Sequence, residues 1–240
     1  MSDLLQNLIH DARVWQGHQH HKARHHNEPT GFAALDASPG PSGWPRGALS
    51  ECLLNDHGIG ELQLVLPLIR RLSQAGKTVF WVNPPHTPYA PALAREEIAL
   101  DQVVIIHTNN ADDLLWTLEN CLRSPVTGLV MAWPDKLSSR GIRRLQLAAE
   151  AGSNLCILFR SAHHAQQSSP AALRLTLTPA APHKLEVSTL KRRGSWPEPP
   201  GILDMPGRTG ISTHRDSTIP AHVIQGPWPG PTTDPQQTRE

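Results

Sequence analysis

The chain has 240 residues, enough for one α/β domain of ordinary size and short of two. Its 22 Lys and Arg nearly balance 21 Asp and Glu, so the net charge of +1 excludes a global electrostatic footprint for nucleic acid or membrane, and any such contact must be local. Hydrophobic residues make up only 38%, and eleven of the 23 prolines fall between Pro179 and Pro235, which points to a packed middle with poorly ordered ends.

Residues 4–16 place Leu4, Leu5, Leu8, Ile9, Ala12 and Trp15 at helical spacing and predict a short amphipathic helix. The start Met1-Ser2-Asp3 lacks the basic head and apolar core of a secretory signal, and no apolar run approaches the ~20 residues of a membrane span. A cytoplasmic protein is expected. A His-rich run follows the helix, from His18 to His26. It reads as a solvated linker, since no carboxylate or cysteine spacing builds a closed metal site around it.

From Thr30 the composition changes, and strands are predicted at 48–54, 78–82, 102–106, 127–133, 155–160, 173–178 and 185–190. Helical patterns lie between the earlier ones. Residues 61–75 carry Leu62, Val65, Leu66, Ile69 and Leu72 on one face, with Pro67 expected to kink them. Residues 111–123 follow Asn110 as a cap, and 138–151 begin at Ser138 and stop at Gly152, which suits a left-handed terminal residue. Runs such as Gln102–Ile106 and Leu155–Phe159 are continuously apolar, as strands covered on both faces are. Alternation of such strands with helices predicts an α/β fold with a mostly parallel sheet covered by helices. The last two strands, joined by a Pro/Ala/His turn, read as an antiparallel addition at the C-terminal end. After Arg193 nothing periodic remains, and 194–240 reads as a Pro-rich disordered tail. Cys52, Cys121 and Cys156 have no CxxC spacing and read as buried small hydrophobes.

The turn after the first strand is the place to look for chemistry. A phosphate loop needs glycines to wrap the phosphates, a Lys for the β/γ oxygens and a hydroxyl for Mg²⁺. Here Asn55-Asp56-His57-Gly58-Ile59-Gly60-Glu61-Leu62 keeps the topology and the glycines, but Glu61 stands where the lysine belongs and Leu62 where the hydroxyl belongs. A carboxylate facing triphosphate oxygens is repulsive. The strand at 127–133 ends in Trp133-Pro134 instead of a Mg²⁺-binding Asp. The loop is thus read as a degenerate phosphate loop (Gly58, Gly60, Glu61, Leu62) without ATPase activity, cofactor or metal. No spacing marks a nucleophile or general base, so no catalytic residue is assigned and no enzyme is expected.

These residues resemble a known group. Thr30-Gly31-Phe32-Ala33-Ala34-Leu35-Asp36 and Gly43–Glu51 resemble the lead-in to the core of RecA-type recombinases. Trp81–Ala92, Arg143–Gly152, Ser169–Leu175 and Leu190–Gly194 resemble the ImuA family of RecA-like translesion-synthesis accessory proteins. A shorter likeness, through Leu66–Leu72 and the neighbouring strands, is to SulA, the SOS-induced cell-division inhibitor. The ImuA resemblance implies a RecA-like core, about residues 30–193, and a non-catalytic adaptor in SOS-induced translesion synthesis. Its implied partners are an ImuB-type Y-family polymerase relative, RecA and an error-prone replicative-type polymerase. The SulA resemblance implies instead an inhibitor that binds FtsZ.

Candidate contact residues follow. Lys191-Arg192-Arg193 closes the last strand and could meet phosphates or an acidic partner surface. Arg140 and Arg144 lie one turn apart on a helix. Leu5, Leu8, Ile9 and Trp15, in the 1–29 arm, could dock on the core or on another protein. In the strand order that the RecA-like resemblance implies, Trp81 and Trp133 sit at the C-terminal ends of adjacent strands, where open α/β sheets bind ligands, and are read as filling that crevice.

Overall fold

A computed structural model describes residues 27–37, 42–195 and 199–205. The amphipathic helix at 4–16, the His-rich run and most of the 194–240 tail lie outside the described residues. Eight strands form one sheet: β1 (Ala48–Leu54), β2 (Thr78–Val82), β3 (Val103–Ile106), β4 (Thr127–Ala132), β5 (Leu155–Ser161), β6 (Leu173–Ala181), β7 (Lys184–Arg192) and β8 (Gly201–Asp204). Their order is β3-β2-β4-β5-β1-β6-β7-β8. Pairing is parallel from β3 through β6 and antiparallel for β6–β7 and β7–β8. The fold is therefore mixed α/β, mostly parallel, with antiparallel strands at its C-terminal end.

The helices are α1 (Ala33–Asp36), α2 (Glu61–Gln74), α3 (Ala90–Arg95), α4 (Ala111–Arg123) and α5 (Ser139–Gly152). Helix α2 lies on one face. It buries Leu64, Val65, Leu68, Ile69 and Leu72 against Cys52, Leu54, Trp81, Met131 and Ile157. Full burial of each such aliphatic side chain contributes roughly 1.5–3 kcal/mol. Helices α4 and α5 cover the other face, with Leu114, Leu118, Ile142 and Leu145 on Leu49, Val130 and Leu158. The expected caps are present: Asn110 Oδ1 accepts from the Asp113 N–H (2.8 Å) and Ser138 Oγ from the Gly141 N–H (3.1 Å).

The lead-in has a physical reason for each of its residues. The Asp36 carboxylate gathers the N–H groups of Thr30 (2.8 Å) and Gly31 (3.1 Å) and the Thr30 hydroxyl (2.9 Å). Gly31, at φ 89°, lies so close to the Pro67 ring that a Cβ there would collide with it. Glu28 and Trp44 exchange two backbone hydrogen bonds (2.8 and 2.7 Å), and Trp44 is wholly buried. The lead-in is thus bound onto α2 before β1 begins.

Several expectations change. Val103–Ile106 is an edge strand, and Val104 and Ile105 are more than a third exposed, so its apolar run does not report cover on both faces. Helix α2 runs unbroken through Pro67, which sits against Gly31. The left-handed residue ending α5 is Ser153 (φ 52°), one past Gly152. Gly152 is needed for space, since a Cβ there would strike the Leu122 carbonyl. Gly201–Asp204, inside the segment read as disordered tail, is a strand on β7. Proline-rich flanks hide a four-residue strand from any periodicity count.

Candidate functional site

The glycine loop joins β1 to α2 as expected, with Gly58 (φ 81°) and Gly60 (φ 110°) in conformations glycine favours. Its chemistry is occupied internally. Glu61 is buried and its Oε1 accepts the Gly58 N–H at 2.8 Å, so the carboxylate takes a donor that an anion would need. A Cβ on Gly60 would touch Met205, the buried residue after β8, and Leu62 packs against the α2-side core.

The rim beside this loop is filled by rings. Trp81 is the penultimate residue of β2 and Trp133 follows β4, and these strands are neighbours. Trp133 lies 5.9 Å from Trp81 and stacks on Phe159 of β5 at 4.8 Å. Trp81 is 1% and Trp133 7% exposed. The ligand-binding edge of the sheet is therefore filled with the protein's own aromatic side chains. Asn83 (φ 50°) fixes the loop beyond β2, donating to the Thr108 hydroxyl (3.0 Å) and accepting from the Thr108 N–H (2.8 Å).

The basic residues at the end of β7 separate. Arg192 turns to the α2 side, is buried, and donates from Nη1 to the Gly43 carbonyl at 3.4 Å. Lys191 turns to the opposite face and donates to the Ser169 carbonyl at 2.7 Å. Arg193 is exposed. The three cations do not form one patch, because alternation along a strand sends neighbours to opposite faces. On α5, Arg144 is held bidentately by Glu119 (2.8 and 2.7 Å), while Arg140 is exposed. The paired basic face is thus half neutralised. Leu5, Leu8, Ile9 and Trp15 lie outside the described residues.

One constellation escapes periodicity altogether. Glu51, the only charged residue of β1, is fully buried between two arginines. Its Oε1 accepts from Arg160 Nη1 of β5 (2.6 Å) and its Oε2 from Arg174 Nε of β6 (2.7 Å). Arg160 also donates to the Leu137 carbonyl (3.1 Å), and Arg174 to those of Gln167 (2.8 Å) and His164 (2.7 Å). The triad ties the segment between β5 and β6 down over the sheet. The signal in the sequence is a lone acid inside an otherwise uncharged strand, with an arginine in each of two later strands.

Comparison with known proteins places this scaffold. The family model described as "Cell division inhibitor SulA" matches residues 47–156, from the start of β1 into β5. The SulA of Serratia proteamaculans is 26% identical over 136 residues, covering 56% of this chain and 81% of that one. The SulA of Photorhabdus laumondii is 25% identical over 115 residues, 48% and 65% of the two chains. That of Edwardsiella piscicida is 26% identical over 97 residues, 40% and 58%. The chain spans less than two thirds of the latter two relatives. The crystal structure of SulA from Pseudomonas aeruginosa aligns with a TM-score of 0.40 at 23% identity, covering 47% of this chain and 97% of that one. These matches overturn the translesion-synthesis adaptor as the main reading, and with it the ImuB-type, RecA and polymerase partners, because the likeness falls to division inhibitors. Over residues 47–156 the chain is SulA-like.

Proposed function

We propose that this chain is a non-catalytic inhibitor of cell division, induced with the SOS response, which binds FtsZ and keeps it from polymerising. The observation that carries the reading is the SulA family match across β1–β4, α2–α5 and the start of β5, with relatives named as division inhibitors. The site geometry supports a binding role over a chemical one. Glu61 occupies the Gly58 N–H, and Trp81, Trp133 and Phe159 pack together at the edge that serves as an active site in open α/β sheets. On this reading the core is RecA-like, the 55–62 loop is a decayed phosphate loop, and the ImuA-type matches mark a shared scaffold ancestry. The contacts fall to Lys191, Arg193 and Arg140, with Leu5, Leu8, Ile9 and Trp15 as a docking helix.

Two measurements test it. Controlled expression in growing bacteria should produce filaments, and purified chain should lower the FtsZ mass that sediments as polymer in proportion to its concentration. Normal division at high expression, with undiminished FtsZ polymer, refutes the reading.

A further inference from the structure

The buried triad continues outward into a surface feature. Strand register sets Glu51 of β1 opposite Arg174 of β6, and Arg174 opposite Lys191 of β7. Arg160 reaches the same carboxylate from β5. A row of Arg160, Glu51, Arg174 and Lys191 therefore crosses four neighbouring strands on one face, and Arg193 follows two residues beyond Lys191. Three cations share one carboxylate within it. Glu51 is consumed by the two arginines, and no carboxylate among the described residues lies within ion-pair distance of Lys191 or Arg193. Arg193 lines a cleft of about 230 Å³ whose other charged groups include Arg46 and Glu150. Arg46 is engaged by Glu28 at 2.7 Å.

Like charges directly opposite on paired strands destabilise a sheet. Arg174 and Lys191 are such a pair, and a register shift between Arg174 and Leu175 sets them so. Bulges of this kind re-aim side chains and recur beside functional sites. Burial depresses the Lys191 pKa, and the charges of Arg193 and Arg174 depress it further, with Glu51 opposing. Inside the described fold Lys191 is offset only by the Ser169 carbonyl and by Glu51, which Arg160 and Arg174 already hold.

We propose that Lys191 and Arg193, backed by Arg174, form a recognition site for a carboxylate-rich segment of a partner protein. It rests on the binding role proposed above and gives that role a chemistry. Lys191 is exposed near the end of β7 and Arg193 is exposed in the turn that follows it, so both cations are open to the carboxylates of an acidic chain.

The probe is a fluorescent glutamate-rich peptide titrated against the full chain at low and moderate salt, with single-stranded DNA of equal charge as competitor. Peptide binding that weakens at least tenfold in both Lys191→Gln and Arg193→Gln supports the site. Lys191→Gln keeps an N–H donor but removes the charge facing Arg174, so its melting temperature should equal or exceed that of the parent while binding falls. A purely structural lysine would lose stability instead. Absence of peptide binding at low salt, binding unchanged by both substitutions, or tighter binding of DNA than of peptide each overturns the proposal. Filamentation and FtsZ sedimentation are scored separately. Absence of peptide binding by the parent chain with intact FtsZ inhibition defeats this site alone, and peptide binding by the parent chain without FtsZ inhibition defeats the functional reading alone.

Discussion

Glu51 shows how much one side chain can hold. Its carboxylate is wholly buried and compensates two guanidiniums that are themselves nearly buried. Removing one member of such a group leaves charge stranded at low dielectric, at a cost of about 3–5 kcal/mol. Glu51→Gln should lower the unfolding free energy from urea titration by that order, and a loss below about 1 kcal/mol would show the triad to be dispensable. The cysteines make a second residue-scale case. Burial pushes the thiols of Cys52 and Cys156 far above their usual range and raises Cys121 to about 11. Thiolate is the reactive form, so at pH 8 a thiol reagent should modify none of them in the native protein and all three in urea. Rapid native labelling of Cys52 or Cys156 would contradict their burial.

At the scale of elements, the end of α5 separates two roles that look alike in sequence. Gly152 gives its place to the Leu122 carbonyl, whereas Ser153 adopts the left-handed conformation without being glycine. Ser153→Gly should therefore stabilise by about 0.5–1 kcal/mol, through relief of the left-handed backbone. Gly152→Ala should destabilise by more than 2 kcal/mol, since backbone cannot yield as a side chain can. Thermal midpoints moving in opposite directions verify the distinction. The helices themselves were readable: α4 and α5 have clear periodicity and their caps at Asn110 and Ser138. Edge β3 was misread because an apolar run reports composition, and composition does not tell a central strand from an exposed one. Strand β8 was invisible for the opposite reason, since four residues after a proline-rich stretch carry no period at all.

Across the whole molecule, the lead-in is stapled to the body by Glu28, which meets Arg46 at 2.7 Å and Arg71 at 3.2 Å. Burial opposes its ionisation, but the hydrogen bonds and charges of the two arginines win and hold its pKa below the ordinary 4.5. A depressed carboxyl contributes stability that is full above its unfolded pKa and is lost as pH falls through the folded one. The stability difference between parent and Glu28→Gln, about 1 kcal/mol for such partly exposed pairs, should thus be present at pH 7 and be lost in acid, as the carboxyl protonates below the ordinary 4.5. Equal differences at both values would mean the arginines do not hold the carboxylate.

What the sequence determined alone was the alternation of strands with α2, α4 and α5, the antiparallel pairing of β6 with β7, and the mismatch of Glu61 and Leu62 with phosphate-loop chemistry; the short α3 between β2 and β3 it did not show. Periodicity, capping residues and local charge are short-range properties, written in neighbouring positions. The tertiary structure decided which strand sits at the edge, that Arg192 parts from Lys191 and Arg193, and that Arg144 is neutralised by Glu119 25 positions away. It also joined Glu51 to Arg160 and Arg174, 109 and 123 residues distant. Those outcomes depend on strand order and register, which are set by how the sheet and its two helical layers pack together, and no local pattern encodes them.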